Sequence, residues 1–465
     1  MRFSLWTVIV LLPLNAAAPA AERQAATGDE LRRAIAAAEA GDVIVMLDGE
    51  WTDVAIDITT AGVTLRAQTP GKVVLTGSSK LKLSAPNVVV DGLRFEGGAL
   101  TGDDGEIIHF NSDHGRVTNC AIVDYNPREV ATPYYWVFFE GHHNRLDHCY
   151  IKGKSHQEPV IGNAGGGSSP RDSKKPSRHN TVDHCHFVDI PHVPGRNGRE
   201  IFRIWGYGGN EELGDDGSFF TIEDNLFERA HGEGNEIISL KSNCNIVRRN
   251  TIRATRGGIT NRSGNFNVIE DNIILADGEE RATGIRIAGQ GHVIRGNYLE
   301  GTVDGINLMC GEHFETDLTG EFSPILREWA PLKRVPRYGH VRNVTIENNV
   351  FVDIAGADLN VGSGYKSGWP KSQRVLVPDG LTIARNVIIK PTGGDAVIGA
   401  SADRNPPLDK FEFKPNRFEH NTIVGDGAAV AFEPAKSGFV TRTDPPPRPK
   451  PTPLTAQDVG PAWRN

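Results

Sequence analysis

The mature part of this 465-residue sequence has no apolar stretch long enough to cross a bilayer, which excludes a helical membrane span. It has no excess of basic residues either. Fifty Lys and Arg face 58 Asp and Glu, for a formal net charge of −8. No global positive field therefore recruits nucleic acid or another polyanion, and an anionic partner needs a local basic face. Cysteine is sparse and odd in number: Cys120, Cys149, Cys185, Cys244 and Cys310. That count argues against a disulfide scaffold. The Leu/Asn signature and paired helices of a leucine-rich repeat are missing as well.

Glycine is abundant, at 52 residues, as a chain with many turns requires. Met1 to Ala21 has a positive Arg2, a short apolar run from Leu5 to Leu14 and small residues from Ala16 onward. This is the pattern of an export signal, so the protein is expected in the periplasm or outside the cell. Residues 22–442 are expected to form one domain, and the Pro-rich residues 443–465 an extended tail that packs weakly. Thr27 to Gly41 reads as a short helix, capped by Thr27 or Asp29 and ended by Gly41. It would cover the open end of the domain's first β-turn of chain.

The body of the domain is a repeat. An apolar-polar-polar-(Asn or Cys)-x-apolar motif returns down the chain. It carries Cys in Val117–Ile122, Leu146–Ile151 and Val182–Phe187, and Asn in Ile222–Phe227, Val247–Ile252, Ile269–Ile274 and Ile294–Leu299. Later copies are Ile346–Phe351, Ile383–Ile388 and Phe418–Ile423. From Asn225 through Asn250, Asn272 and Asn297 the spacing is 25, 22 and 25 residues. A unit this short cannot bury its apolar face alone, so copies must stack. Asn at a fixed turn tolerates left-handed geometry and can hydrogen-bond along the stack. The three motif cysteines, with His148, His184 and His186 beside them, are then buried or structural turn positions. Longer insertions, at 159–179, 206–217, 311–339 and 362–379, are expected to wall a groove on this rigid stack.

Two segments one repeat apart carry the candidate chemistry: Glu233-Gly-Asn-Glu-Ile-Ile-Ser-Leu-Lys-Ser242 and Gly257-Gly-Ile-Thr-Asn-Arg-Ser263. Both alternate apolar and polar residues, with Glu236 expected at the turn before its strand. As neighbouring rungs about 4.8 Å apart, they put Lys241 beside Arg262. Arg203, Ser239, Thr260 and Arg286 fall in a second outward column, with Asn197, Glu200, Glu233 and Glu236 alongside. A solvated face laced with ion pairs would account for this set. So would removal of the proton α to a sugar carboxylate. That reaction needs a cation to neutralise the carboxylate, a base such as Lys241, and help for the departing oxygen from a residue placed like Arg262. Asn197, Glu233 and Glu236 offer the hard oxygen donors that Ca²⁺ takes.

The pattern of these segments resembles the catalytic core of polysaccharide lyase family 6, the chondroitinase B and alginate lyase family. Further similar pieces are Asn144–Lys154, Gly195–Ile204, Gly284–His292, Gly296–Gly301 and Leu454–Pro461. The resemblance implies a right-handed parallel β-helix that cleaves a uronic-acid polysaccharide by β-elimination, alginate first and dermatan-type glycosaminoglycan second. It implies Lys241 as Brønsted base, Arg262 as Brønsted acid, and Asn197 and Glu236 as Ca²⁺ ligands. Two residues separate Glu233 from Glu236 where the family has one, so Glu233 reaches the ion through a bulged turn or Asn235 replaces it. Ser263 stands where the family has histidine. Arg203, Arg286 and Glu200 are candidates for contacts to an anionic polysaccharide or oligosaccharide. Trp136, Trp205, Tyr207 and Trp369 are candidates for stacking on sugar faces. Uronate C5-epimerisation and non-catalytic carbohydrate binding on the same fold are the rival readings. The Asp-Pro-His-Asp stretch of alginate epimerases is missing from the chain.

Overall fold

A computed structural model describes residues 20–464 apart from 102–104, 166–176, 194–196, 207–216, 314–337, 367–372, 403–407, 409–410 and 445–449. Most of the expected export segment, Tyr207, Trp369 and much of each long insertion lie outside the described residues.

Short strands of alternating residues stack into three long parallel sheets, of 14, 14 and 13 strands among the described residues. The chain visits them in turn, so the fold is the expected right-handed parallel β-helix. One coil shows the order: Thr221–Glu223 in the first sheet, Leu226–Ala230 in the second and Glu236–Ser242 in the third. Inward residues of all three meet in one continuous core. Like side chains stack on like within it. Phe187 lies 4.9 Å from Phe227 and Phe110 4.6 Å from Phe139, each pair nearly parallel.

The repeated motif spans the turn from first to second sheet. Its Asn side chains point inward and are fully buried. Asn225 Nδ2 donates to Asn250 Oδ1 at 3.1 Å, Asn250 to Asn272 at 3.0 Å, and Asn272 to Asn297 at 3.0 Å. The row continues through Asn349, Asn386 and Asn421. Each amide also donates to a carbonyl of the preceding coil, as Asn250 does to Ile222 at 2.9 Å. Upstream, the Cys149 N–H meets Cys185 Sγ at 3.4 Å, and the Cys185 N–H meets Asn225 Oδ1 at 2.9 Å. All five cysteines are free.

The left-handed residue is not the ladder Asn but the one before it. Asn119, His148, His184, Asp224, Arg249, Asp271, Asn348, Arg385 and His420 have φ between +50° and +57°. Only that reversal turns the next side chain into the stack. His148 and His184 stack at 4.9 Å, and each bonds the preceding aspartate at 2.8 Å, so both are structural. A second polar row runs along the turn between third and first sheets. Asn245 Oδ1 accepts from Phe220 N at 3.0 Å, Asn267 Oδ1 from Asn245 N at 2.7 Å, and His292 Nδ1 from Asn267 N at 3.1 Å.

Two expectations need correction. The helix covers Gly28–Ala36 and stops before Gly41, with Thr27 as its cap. The Asp42 carboxylate collects the N–H groups of Glu39 and Ala21, so residues after Ala37 form a separate turn. A strand, Glu22–Ala25, precedes the helix and pairs with Val43–Met46. The tail also packs closely. It runs back along the second sheet: Lys450 Nζ bonds Glu300 at 2.6 Å, Leu454 N bonds Thr251 Oγ1 at 2.9 Å, and Gly460 N bonds the His184 carbonyl at 2.7 Å. Trp463 Nε1 reaches the Asn119 carbonyl at 2.7 Å. The Trp463 ring packs on an apolar stripe of Ala121, Tyr150 and Val188.

Replacing Asn272 by Ala takes its partner from the Asn250 N–H and from the Val247 carbonyl, and one of two acceptors from the Asn250 side-chain amide. Buried orphans cost about 1–3 kcal/mol each. Asn272→Ala is therefore expected to lower stability by about 3 kcal/mol or more, read as a shift in the urea unfolding midpoint.

Candidate active site

Four neighbouring strands of the third sheet build the site: Phe202–Gly206, Glu236–Ser242, Gly257–Asn261 and Ala282–Ile287. Their register is the expected one. Arg203 pairs with Ser239, Ser239 with Thr260, and Thr260 with Arg286. Leu240 pairs with Asn261, and the Arg262 N–H bonds the Leu240 carbonyl at 2.9 Å. Lys241 and Arg262 therefore sit on adjacent rungs, both on the outer face.

Glu236 is not in a turn. It is the first residue of its strand, and the register shifts between Glu236 and Ile238. This bulge lets Ile237 and Ile238 both go inward while Glu236 stays among the outer polar groups. Its rung partner is Gly258, where a Cβ would stand 2.0 Å from the Gly284 carbonyl oxygen. No side chain fits there.

Each outward cation is matched to a buried carboxylate. Glu236 Oε1 accepts from Arg262 Nη1 at 2.8 Å and from Arg286 Nη2, and its Oε2 accepts from Ser239 Oγ at 2.6 Å. Burial works to raise the Glu236 carboxyl, but Arg286 and Arg262 outweigh it and hold it below its ordinary value. Arg262 is in turn raised: burial opposes its charge, and Glu236 more than restores it. Lys241 Nζ donates to Glu200 Oε1 at 3.1 Å. Glu200 Oε2 has no hydrogen-bond partner among the described residues. Arg203 is withdrawn from the open face. Its Nη2 bonds the Tyr135 hydroxyl at 2.8 Å and the Glu158 carboxylate, and its Nη1 lies 3.7 Å from Glu200.

Tyr135 and Glu158 escaped the sequence reading. They come from earlier coils, and only the adjacent Tyr134-Tyr-Trp136 run hinted at a built feature there. Trp136 is fully buried and donates to His156 Nε2 at 3.0 Å. It packs the interior and faces no sugar. Trp205 is half-buried and pairs with Lys241 across the rung.

Glu200, Glu233 and Glu236 present carboxylate oxygens within 4.8 Å of one another, all three residues buried. The cluster can hold a metal ion. Glu200, expected as a substrate contact, thus also belongs to the carboxylate cluster. Asn197 is exposed and lines a cavity of about 560 Å³ with Glu233, Asn235, Arg256 and Arg281. The Glu200 oxygen that no hydrogen bond engages among the described residues and the crowded carboxyl of Glu233 fit a hard divalent cation. Glu236 fits less well, since Arg262, Arg286 and Ser239 already occupy its oxygens.

The chondroitinase B family model matches residues 25–428. Among solved structures, the chain is similar to Pedsa3628, a PL6 family polysaccharide lyase from Pseudopedobacter saltans. The two are 46% identical over 95% of this chain and 99% of that one, with a TM-score of 0.82. It is also similar to the PL6 family alginate lyase AlyGC, at 28% identity over 95% of this chain and 59% of that one, TM-score 0.76. A mannuronic acid specific family 6 lyase from human gut microbiota is 25% identical over 95% of this chain and 96% of that one, TM-score 0.73. Among curated proteins there is no match.

Burial first, and then the Glu200 and Glu236 charges, push the Glu233 carboxyl from its usual 4.5 up to about 7. The folded chain then holds a proton that the unfolded chain has lost. Stability from this group is full below about pH 4.5 and is lost as pH rises through about 7. In the presence of a chelator, Glu233→Gln is expected to exceed the parent in stability at pH 8 by up to about 3 kcal/mol. The two should converge at pH 4, as denaturant midpoints will read.

Proposed function

From the premise that the chain belongs to polysaccharide lyase family 6 and is a polysaccharide lyase, we propose that it cleaves alginate by β-elimination, with Lys241 as base and Arg262 as acid. The observation that carries this reading is the placement of Lys241 and Arg262 on adjacent rungs, each paired with a buried carboxylate at 3.1 Å or less.

The chemistry builds on that placement. Lys241 must first give up a proton, and Glu200 Oε1 is an acceptor 3.1 Å away. The free amine then takes the proton from the uronate carbon next to the carboxylate. The electron pair forms the new double bond, and the bond to the glycosidic oxygen breaks. Arg262, held charged by Glu236, supplies a proton to that oxygen. Arg286, half-buried beside it, and Arg203, pinned behind it, add positive field where charge develops on the sugar carboxylate. Glu200, Glu233 and Glu236 with Asn197 would hold Ca²⁺, which when bound would neutralise that carboxylate. The product would be an unsaturated uronate at the new non-reducing end.

Alginate is favoured because relatives of 28% and 25% identity are an alginate lyase and a mannuronic acid specific lyase. The matching family carries the name of chondroitinase B, which supports dermatan-type glycosaminoglycan as the second substrate. The signal-like first 21 residues support action in the periplasm or outside the cell. No described helix is long and apolar enough to cross a membrane.

Mixing the protein with alginate should raise absorbance near the ultraviolet edge as unsaturated ends form. Absence of a rise with alginate and with dermatan sulfate, with and without Ca²⁺, would overturn the reading. An unchanged chain length together with altered uronate composition would point to epimerisation instead. Lys241→Ala should lower kcat by about 10²- to 10⁴-fold at an unchanged melting temperature. Chelation should lower turnover, and Ca²⁺ should restore it better than Mg²⁺, whose strict octahedral demand suits this crowded set poorly.

A further inference from the structure

Each of the two cations assigned to proton transfer has a buried carboxylate on one side and an aromatic ring on another. Lys241 Nζ donates to Glu200 and lies 4.7 Å from the centroid of the Trp205 ring. Arg262 Nη1 donates to Glu236, and its Cζ lies 5.2 Å from the centroid of the Tyr338 ring. We propose that Trp205 and Tyr338 are positioning residues, each fixing one of these side chains in its working place. The inference rests on the roles given above to Lys241 and Arg262.

A single ion pair leaves a long side chain free to pivot about the shared oxygen. A second contact from a different direction removes that freedom. A ring face supplies the contact without adding another formal charge. A second carboxylate would compete for the proton that the reaction moves.

Both rings are themselves anchored. The Trp205 backbone N–H donates to Asn163 Oδ1 at 2.7 Å, and its carbonyl accepts from Asn163 Nδ2 at 3.0 Å and Ser218 Oγ at 2.6 Å. Its ring also lies 5.6 Å from Arg203 Cζ, which stands 5.7 Å from the Tyr135 ring. Rings and cations thus alternate along this edge, and the neighbours of the indole are protein cations. Tyr338 accepts from the Glu312 N–H at 2.9 Å through its carbonyl, and its ring carries Arg374 at 5.4 Å.

The test compares ring removal with ring retention, using alginate or, if alginate is not turned over, dermatan sulfate. Trp205→Leu and Tyr338→Leu should each lower kcat about 10- to 100-fold, with KM changed by less than about threefold. Trp205→Phe and Tyr338→Phe keep a ring face and should stay within about fivefold of the parent. The proposal is overturned if the Leu variants match the parent. It is also overturned if KM rises at constant kcat, since the rings would then touch sugar. Equal damage from Phe and Leu would overturn it too. Tyr338 lies outside the stacked core, so its pair decides the matter should Trp205→Leu fail to fold. Lys241→Ala runs alongside. If it retains turnover, the base assignment and the Trp205 contact to it fall together. If it is inactive while Trp205→Leu matches the parent, the positioning role alone falls.

Discussion

The structure depends on one repeated bond, the amide-to-amide contact between ladder asparagines of successive coils. A strand pairing on its own can slip along its neighbour, and a one-residue slip sends every side chain to the opposite face. The inward Asn removes that option. Its oxygen accepts from the N–H of the previous Asn, and its nitrogen donates to the next side chain and to a carbonyl of the coil before. Only one register satisfies all of these at once. The Lys241–Arg262 adjacency lies in a different sheet, yet it inherits the same register through the remaining residues of each coil.

Much of this was legible in the amino-acid order. Hexapeptides with Asn or Cys at the fourth position announce a stack, and counting from them places Arg203, Ser239, Thr260 and Arg286 in one column. Lys241 and Arg262 fall into place by the same count. What stayed hidden depends on reach across space. Glu200 and Lys241 are 41 residues apart, and Glu158 and Arg203 are 45 apart, with a bond that depends on a loop path. The second polar row, Asn245, Asn267 and His292, stands five residues ahead of Asn250, Asn272 and Asn297, a recurrence that the hexapeptide motif, starting two residues later, left out. The left-handed position was misplaced by one residue because Asn is a frequent left-handed residue, whereas here the residue before the ladder Asn or Cys, be it Asp, His, Arg or another Asn, adopts that geometry and the ladder residue takes the inward place.

The outer face of the third sheet is an unusual concentration of charge. Lys241, Arg262 and Arg286 meet Glu200 and Glu236, and Glu233 stands close by. Buried ion pairs of this kind add little net stability, because desolvation consumes most of the attraction. Their value here is geometric. Each carboxylate sits at the base of a cation and aims it outward, and the bulge at Glu236 with the bare Gly258 beside it gives the carboxylate room. The same crowding leaves Glu233 short of a partner charge, a condition that a hard cation relieves.

The returning tail has a consequence for how the molecule is completed. In a solenoid each coil touches only its neighbours, so the ends are independent of one another. The Trp463–Asn119 bond spans 344 residues and closes that open array into a circuit. Coils made early therefore keep Ala121, Tyr150 and Val188 uncovered until Trp463 has been made. An unfinished or clipped chain can stack nearly all of its coils and still display an adhesive stripe, and such exposed surface is what holding chaperones and quality-control proteases recognise. Synthesis of the Trp463 segment is thereby written onto the outside of coils up to 344 residues before it.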